Sequence, residues 1–350
     1  MHGEYKEPGG KLVAADVDVA DGRVTWVQVS GDFFLEPGEA LEHIDAAVTG
    51  LPATASVPEI TTRVEAALGA DAILAGFTAE TVAVAVRRAL TRASTWRDHD
   101  WQLVCEEPQN PALHMALDEV LAGEVAAGRR PPTLRFWEWA SPAVIIGSFQ
   151  SLRNEVDLDQ ARQLGFTVVR RISGGGAMLA EPGKTITYSL YAPGSLVAGM
   201  SYADSYAYLD DWVIGALTGD LGLDAWYQPL NDITSSQGKI GGAAQKRLTG
   251  GTVLHHVTMA YDMDPATMTS VLRIGREKLS DKGIPSAAKR VAPLRQQTRI
   301  PRAEIAGALI GHFRRRHGLT TGGLTVGELR AARDLARVKF MSGRWTARVA

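Results

Sequence analysis

Three short segments of the sequence combine glycine, charge and histidine in patterns that suit an anionic or acyl ligand. In the first, Arg170 and Arg171 end a strand-like run and are followed by Ser173 and three glycines, 174–176. Glycines leave no Cβ to obstruct a ligand, so the backbone amides can face an anion or lie flat against an acyl chain. A plain hairpin turn is the alternative for the glycines taken alone. Because the segment matches neither GxGxxG nor GxxxxGK[ST], nicotinamide and P-loop enzymes are disfavoured.

The second segment holds a lysine on a predicted strand. Lys239 follows Gly238 and precedes an apolar strand that continues into two further glycines. A cation on a rigid element with little bulk around it suits a phosphate or a developing oxyanion. The alternative is an ordinary solvated charge, which is our interpretation of Lys246 and Arg247 further along the same run.

Histidine and cysteine provide the remaining candidates. His255 and His256 are adjacent on a predicted strand, so their side chains face opposite sides, and one of them can line a pocket. No cysteine or acidic residue lies at metal-ligand spacing from them, which argues against zinc. Cys105 is the single cysteine. It excludes an internal disulfide framework and suits packing better than nucleophilic chemistry, because its neighbours in sequence supply no activating charge.

Composition restricts the possible partners and location. The chain has 350 residues, 45% of them hydrophobic, and a formal net charge of −2. No global field therefore attracts nucleic acid or an anionic membrane surface. The N-terminus lacks the apolar core of a signal peptide, and no apolar run is long enough to span a membrane. We expect a cytoplasmic protein without nucleic-acid or membrane partners.

The elements that must position these residues fall into two predicted domains. Residues 1–92 alternate apolar and polar positions around a DGR turn, and three helical patterns follow, which indicates a small α+β module. Residues 93–100 read as a linker. Residues 101–318 mix strands and helices in an order unlike a parallel Rossmann sheet, so we predict an α+β domain with a mixed β-sheet flanked by helices. Residues 319–350 are predicted as a helical tail.

Several segments together resemble the lipoate–protein ligase family of the biotin and lipoate ligase superfamily. They are "NPALHMALDE", "RFWEWASPAVIIGSFQ", "RRISGGGAML", "GKIGGAAQKR", "LHHVTM" and "LSDKGIPSAAKRVAPL", in the family's order and over residues 101–295. The resemblance implies a catalytic domain of the class II aminoacyl-tRNA synthetase and biotin ligase type. It also implies a two-step reaction, in which lipoate or octanoate and ATP form an acyl-AMP that a lysine of an acceptor protein then attacks.

The resemblance also implies roles for individual residues and partners. It makes Lys239 the catalytic residue, in contact with the acyl carbonyl and the phosphate. The substrate- and nucleotide-binding residues that it implies are Arg171, Ser173, Gly174, Gly175, Gly176, Asn231, Asp232, Ala244, His256 and Thr258. Asp232 would also lie near Mg²⁺. The implied cofactors are ATP and Mg²⁺ with lipoate as substrate, and the implied partners are lipoyl domains of 2-oxoacid dehydrogenase E2 subunits or the glycine cleavage H protein. Residues 282–294 match a loop expected to close over the adenylate.

The N-terminal module resembles the accessory domain that supports adenylation in many lipoate ligases, placed here before the catalytic domain instead of after it. The tail resembles the segment that normally leads into that accessory domain. We therefore predict that the tail near Phe340 and Trp345 packs against residues 10–35.

Three departures from the family pattern leave other functions open. Ala180 and Glu181 replace a common His-Asp pair, Val257 replaces a glycine, and Ile240 follows Lys239 where many relatives have serine. The first alternative is an octanoyl or lipoyl transferase of the same fold, which needs a cysteine nucleophile and no ATP. A biotin–protein ligase comes next. A catalytically silent module that binds lipoyl groups is the alternative outside the enzymes.

Overall fold

The computed structural model describes residues 1–69, 71–273 and 291–349. The chain divides into two compact units. The first is formed by Met1–Asp98 and Gly194–Asp211, and the second by His99–Pro193 and Trp212–Ala350. The division after Asp98 falls within 93–100, the segment predicted as a linker. Two parts of the chain differ from the division predicted from sequence. Gly194–Asp211 belongs to the first unit, and the C-terminal tail belongs to the second.

A three-stranded antiparallel sheet in the order β1-β2-β3 is the centre of the first unit. Its strands are β1 (His2–Lys6), β2 (Leu12–Ala20) and β3 (Arg23–Gly31). Asp21 and Gly22 join β2 to β3 with φ values of 51° and 72°. Positive φ at both central residues matches the right-handed twist of a hairpin, so the turn predicted from DGR is confirmed.

Three helices accompany this sheet: α1 (Ala40–Val48), α2 (Val57–Ala67) and α3 (Ala79–Leu90). Reciprocal capping boxes begin two of them, with Ser56 and Thr78 as the N-cap residues. Each box satisfies backbone N–H groups that a helix start otherwise leaves unpaired. A short ladder of β4 (Phe34–Glu36) and β5 (Ile73–Ala75) completes this part of the unit.

A buried arginine explains why Gly194–Asp211 belongs to the first unit. Arg88 on α3 is 1% exposed. Its guanidinium donates to the carbonyl oxygens of Glu4, Leu196 and Ala198 at 2.6, 3.0 and 3.2 Å. These bonds join α3 and β1 to a segment more than 100 residues away, a contact that no local sequence pattern encodes.

The second unit is built on a large mixed sheet in the order β12-β13-β14-β15-β11-β7-β6-β16. All neighbouring strands are antiparallel except β6 with its two partners, β7 and β16. A smaller sheet has the order β10-β8-β9. The strands are β6 (Gln102–Cys105), β7 (Thr133–Trp137), β8 (Ala143–Ile146), β9 (Thr167–Arg170), β10 (Met178–Ala180), β11 (Thr185–Pro193), β12 (Ala225–Gln228), β13 (Asp232–Ser235), β14 (Gly238–Arg247), β15 (Thr252–Ala260) and β16 (Thr320–Thr321). The predicted mixed sheet flanked by helices is confirmed.

Helices flank these sheets. They are α4 (Pro111–Ala126), α5 (Leu152–Glu155), α6 (Leu158–Gln163), α7 (Tyr202–Gly215, which begins in the first unit), α8 (Pro265–Val271), α9 (Leu294–Gln297), α10 (Arg302–His317), α11 (Val326–Leu335) and α12 (Gly343–Thr346). Asn110 caps helix α4, and Pro111 is its first residue. Leu117 and Leu121 of this helix are fully buried. Among the described residues, no helix is both long and apolar enough to cross a membrane.

The C-terminal tail packs in the second unit. Phe340 is 1% exposed and belongs to the same hydrophobic cluster as Leu117 and Leu121 of α4, and Trp345 packs against that cluster. The indole Nε1 of Trp345 also donates to the Arg170 carbonyl at 2.9 Å. The predicted packing of this tail on residues 10–35 stays a prediction. The tail residues bury their aromatic side chains where α4 offers an apolar surface.

Truncation of the Phe340 side chain tests how far the tail stabilises the second unit. Phe340→Ala should lower the free energy of unfolding by about 3–5 kcal/mol, because it leaves a cavity in the core. Val338→Ala, two residues earlier and 76% exposed, is the matched control and should change it by less than about 0.5 kcal/mol. Urea denaturation measures both. Equal effects of the two substitutions would contradict this account of the tail.

Candidate active site

A cavity of about 480 Å³ opens in the second unit. Its apolar wall comes from α4, α8 and the small sheet, and includes Met115, Ile145, Met178, Leu179, Met268 and Leu272. Of the residues predicted from sequence, those that line the cavity are Arg171, Gly176, Asn231, Asp232, Lys239, Ala244, His256 and Thr258. The structure therefore brings most of the predicted residues to one place, with a polar end and an apolar wall.

Arg171 shapes the glycine loop that follows β9. Its guanidinium donates to the carbonyl oxygens of Gly174 and Gly176 at 2.5 and 2.9 Å, and to Ser173 Oγ at 3.1 Å. Gly175 has a φ of +88°, a conformation in which a side chain is strained. Ser173, Gly174 and Gly175 are not among the cavity-lining residues, so the arginine and Gly176 form the cavity surface of this loop.

Lys239 and Asp232 form an ion pair at the polar end. They lie on the adjacent strands β14 and β13, and Lys239 Nζ is 2.7 Å from Asp232 Oδ1. The lysine side chain is 33% exposed. A Cβ added at Gly242 would lie 3.1 Å from that Nζ. The glycine therefore leaves room for the lysine side chain to lie along the strand surface.

The amide of Asn231 and the hydroxyl of Thr258 have protein partners. Asn231 Nδ2 donates to the Ala243 carbonyl at 2.6 Å. Thr258 Oγ1 lies 3.1 Å from Thr187 Oγ1. Both residues line the cavity, and these bonds hold their side chains in place.

His256 is hydrogen-bonded to a polar side chain at each of its two ring nitrogens. Its Nε2 is 2.6 Å from Ser173 Oγ, and its Nδ1 is 2.8 Å from Asp118 Oδ2. Burial lowers the pKa of His256, although the bond to Asp118 opposes the shift. A neutral imidazole then donates a hydrogen bond from Nδ1 to the carboxylate and accepts one at Nε2 from the Ser173 hydroxyl.

The sequence analysis missed Asp118. It sits inside "NPALHMALDE" on α4, where a carboxylate within a helical pattern reads as a solvated residue, yet it is 2% exposed. The only signal in the sequence was its place on the otherwise apolar face of that helix.

A second buried histidine extends the polar interior. His114 is fully buried, and its Nε2 bonds to the Glu138 carbonyl at 2.8 Å while its Nδ1 lies 2.7 Å from Arg135 Nη2. Burial, and then the charge of Arg135, hold the pKa of His114 well below its ordinary value. The ring is therefore neutral, with Nδ1 as an acceptor, because a proton there would point at the guanidinium.

Cys105 is separate from the cavity. It is exposed at the end of β6 and is not among the cavity-lining residues. Desolvation, with the nearby carboxylates of Glu138 and Glu106, raises the pKa of its thiol. A thiol that stays protonated at neutral pH is a poor nucleophile.

The described residues contain no group of three or more histidine, cysteine or acidic side chains that could hold a metal ion. Asp232, the predicted Mg²⁺ neighbour, instead directs Oδ1 to Lys239. The predicted proximity of Asp232 to Mg²⁺ stays a prediction. Most of the predicted closing loop at 282–294 lies outside the described residues.

The fold and site define the class of protein. The sequence model described as the lipoyl protein ligase A/B catalytic domain matches residues 110–314, more than half of the chain. The chain belongs to this family, whose members are enzymes of protein lipoylation. The resemblance inferred from the sequence motifs is confirmed.

Two curated relatives are similar to this chain over nearly the whole of their own length. Octanoyltransferase LipM of Moorella thermoacetica is 28% identical over 277 residues, which cover 71% of this chain and 98% of that protein. Octanoyltransferase LipM of Brevibacillus brevis is 26% identical over 282 residues, which cover 71% of this chain and 99% of that protein.

Solved structures extend the likeness to ligases. The bipartite lipoate protein ligase of Thermoplasma acidophilum, from a lipoylation system studied with its E2 lipoyl domain, has a TM-score of 0.63 and 29% identity, covering 72% of this chain and 98% of that one. Lipoate–protein ligase A bound with ATP has a TM-score of 0.61 and 26% identity, covering 72% and 100%.

The principal interpretation of the sequence, an ATP-dependent lipoate–protein ligase, is wrong. Curated relatives that are 26–28% identical over 97–99% of their own lengths are octanoyltransferases, whereas the likeness to ligases comes from the solved structures. The motifs used for that interpretation contribute residues to the cavity, and those residues alone do not distinguish a ligase from a transferase.

Gly147 offers a test of how closely the glycine loop is packed. A Cβ added at Gly147 would lie 2.1 Å from the Gly175 carbonyl oxygen. Gly147→Ala should therefore displace the loop and lower the free energy of unfolding by about 1–3 kcal/mol. Gly123→Ala in α4, where an added Cβ meets nothing within 4 Å, should leave it unchanged or raise it by about 0.5–1 kcal/mol. Thermal denaturation compares the two, and a Gly147→Ala protein as stable as Gly123→Ala would contradict the packing.

The two buried histidines predict how stability depends on pH. His114 and His256 stay neutral in the folded protein but protonate in the unfolded chain below the ordinary histidine pKa of about 6.5. The unfolded state then binds more protons, so stability should fall as the pH drops from 6.5 toward 5, by at most about 1.4 kcal/mol per pH unit for each histidine. Urea denaturation at several pH values measures the slope. His114→Gln should make it shallower, and a flat profile for the unmodified protein would rule out the neutral buried imidazoles.

Proposed function

We propose that this protein is an acyltransferase of protein lipoylation, which moves an octanoyl group from a thioester carrier to a lysine of a lipoyl domain without ATP. The observation that carries the proposal is the cavity itself, in which an apolar wall leads to a fixed lysine, in a chain whose relatives include octanoyltransferases. The acceptor would be a lipoyl domain of a 2-oxoacid dehydrogenase E2 subunit or the glycine cleavage H protein. A solved relative comes from a system that includes an E2 lipoyl domain, which supports this choice.

The apolar wall suits an unbranched acyl chain. Met115, Met178 and Met268 are flexible, unbranched side chains that adapt to an irregular ligand. Trp137 adds a flat surface, and its indole Nε1 is fixed by a 3.1 Å bond to Ser189 Oγ. An octanoyl chain gains binding energy here by leaving water, at about 0.8 kcal/mol for each buried CH₂ group.

Lys239 would supply charge where the reaction develops it. Attack on a thioester carbonyl places negative charge on its oxygen, and a cation held in place lowers the free energy of that transition state. The 2.7 Å contact with Asp232 Oδ1 orients the ammonium group before substrate arrives. Arg171 provides a second cation at the cavity surface, and its bonds to the glycine loop fix its position.

We also propose that residues 1–92 act as an accessory module to this activity. The module carries its own sheet and helices, which supports this proposal. Expression of the chain without it, followed by the assay below, tests this assignment: unchanged transfer rates would exclude a supporting role.

An assay with defined components tests the proposed function. Octanoyl acyl carrier protein and a lipoyl domain are incubated with the enzyme in the absence of ATP, and intact mass reports the octanoyl group on the acceptor. Lys239→Ala should lower kcat/KM by roughly 100-fold or more. Lys246→Ala, on the same strand but outside the cavity lining, is the matched control and should retain activity.

Two results would contradict the proposal. Modification of the lipoyl domain only with free octanoate and ATP would identify a ligase. Binding of the octanoylated domain without transfer under any condition would identify a silent binding module.

A further inference from the structure

Transfer through a covalent intermediate needs a nucleophile, and the chain's one thiol is poorly activated for this role. Desolvation and the nearby carboxylates of Glu138 and Glu106 raise the pKa of the Cys105 thiol. A different side chain, Ser173, has the contacts that activate a hydroxyl. The inference below rests on the proposed function, because it names the group at the same site that receives the acyl chain.

Ser173, His256 and Asp118 form a hydrogen-bonded relay. The 2.6 Å contact from Ser173 Oγ to His256 Nε2 and the 2.8 Å contact from His256 Nδ1 to Asp118 Oδ2 link nucleophile, base and orienting acid in the order that hydroxyl activation requires. The three residues come from the loop after β9, from β15 and from α4. Only the folded unit brings them together, which explains why no sequence motif contains all three.

Hydrogen bonds fix the orientation of the Asp118 carboxylate. Its second oxygen, Oδ1, accepts from Ser189 Oγ at 2.9 Å and from Tyr191 Oη at 2.7 Å. Oδ2 therefore accepts from His256 alone among these three side chains. This contact favours the tautomer that has its proton on Nδ1 and directs the lone pair of Nε2 at Ser173.

Ser173 is connected to the cavity through its two side-chain partners. His256 and Arg171, the two side chains that bond to Ser173 Oγ, both line the cavity. Ser173 itself is 1% exposed. Shielding from bulk water suits a transferase, because an acyl ester open to water would hydrolyse before the acceptor lysine arrives.

We propose that Ser173 is the nucleophile that carries the acyl group between donor and acceptor, with His256 as its base and Asp118 as the residue that positions His256. Ser173 Oγ bonds to the thioester carbonyl carbon while its proton passes to His256 Nε2. The C–S bond then breaks, and the leaving thiolate takes that proton. The product is an octanoyl ester of Ser173.

The second half-reaction reverses these proton transfers. The acceptor lysine amine attacks the ester carbon, and its proton passes to His256 Nε2. The C–O bond breaks, Oγ regains a proton from His256, and an amide remains on the acceptor. Arg171 Nε, 3.1 Å from Oγ, stabilises negative charge on that oxygen in both steps.

Acylation by p-nitrophenyl octanoate tests this proposal without a carrier protein. The unmodified enzyme should release p-nitrophenolate in a burst equal to the enzyme concentration and gain one octanoyl group, mapped by peptide mass spectrometry to Ser173. Ser173→Ala should abolish the burst. Ser173→Cys should keep it and become sensitive to iodoacetamide, whereas Cys105→Ser should behave as the unmodified enzyme does.

The base and its positioning residue are tested by rate and pH. His256→Gln should slow acylation by roughly 10²–10⁴-fold. Asp118→Asn should slow it and move the acid limb of the pH–rate profile, a change that a merely structural defect would not produce. Circular dichroism confirms that each variant is folded, and Ser173→Cys together with the mapped adduct decides the matter if Ser173→Ala does not fold.

The outcomes separate the proposed nucleophile from the proposed function. A burst retained by Ser173→Ala, an octanoyl group mapped elsewhere, or no adduct at all overturns the nucleophile. Transfer to the lipoyl domain that proceeds normally in Ser173→Ala overturns the nucleophile and leaves the proposed function standing. An octanoyl ester on Ser173 that is never passed to a lipoyl domain supports the nucleophile and overturns the proposed function.

Discussion

The buried carboxylate of Asp118 accepts hydrogen bonds from Ser189 and Tyr191 on β11 and from His256 on β15. Arg135 adds a cation 3.8 Å from Oδ1. A charged group without such partners costs several kcal/mol to bury, and these donors offset that cost. Because the donors come from two neighbouring strands, α4 has one position across the sheet in which its aspartate is satisfied. The cavity wall formed by α4 and the orientation of His256 both follow from this contact.

Local patterns in the sequence were sufficient for the hairpin of the first unit, its three helices and the mixed sheet of the second. Local patterns made Lys239 and the His255–His256 pair candidates, and the family resemblance selected Lys239 and His256, both of which line the cavity. Asp118 and the packing of Phe340 could not be found in the same way. Both depend on which distant surface a helix covers, and this is decided by tertiary packing.

Arg170, the last residue of β9, and Arg171, which follows it, also show that a local sequence pattern does not decide burial. Alternation along a strand sends neighbouring side chains to opposite faces. Arg171 donates to the glycine loop, while Arg170 donates to the carbonyl oxygens of Gly147 and Gln150. Arg170 is nevertheless fully buried and is not a surface charge. Alternation specifies the direction of a side chain but not whether another segment covers it.

The segment that covers Arg170 is the tail. The Arg170 guanidinium donates to the carbonyl oxygens of Thr346 and Val349 at 2.7 and 3.4 Å, so it binds the tail through main-chain atoms. Every amino acid supplies the same carbonyl group. Side chains at these two positions can therefore diverge widely among related sequences while the attachment persists, and a comparison of sequences alone would underrate the tail's place beside the glycine loop.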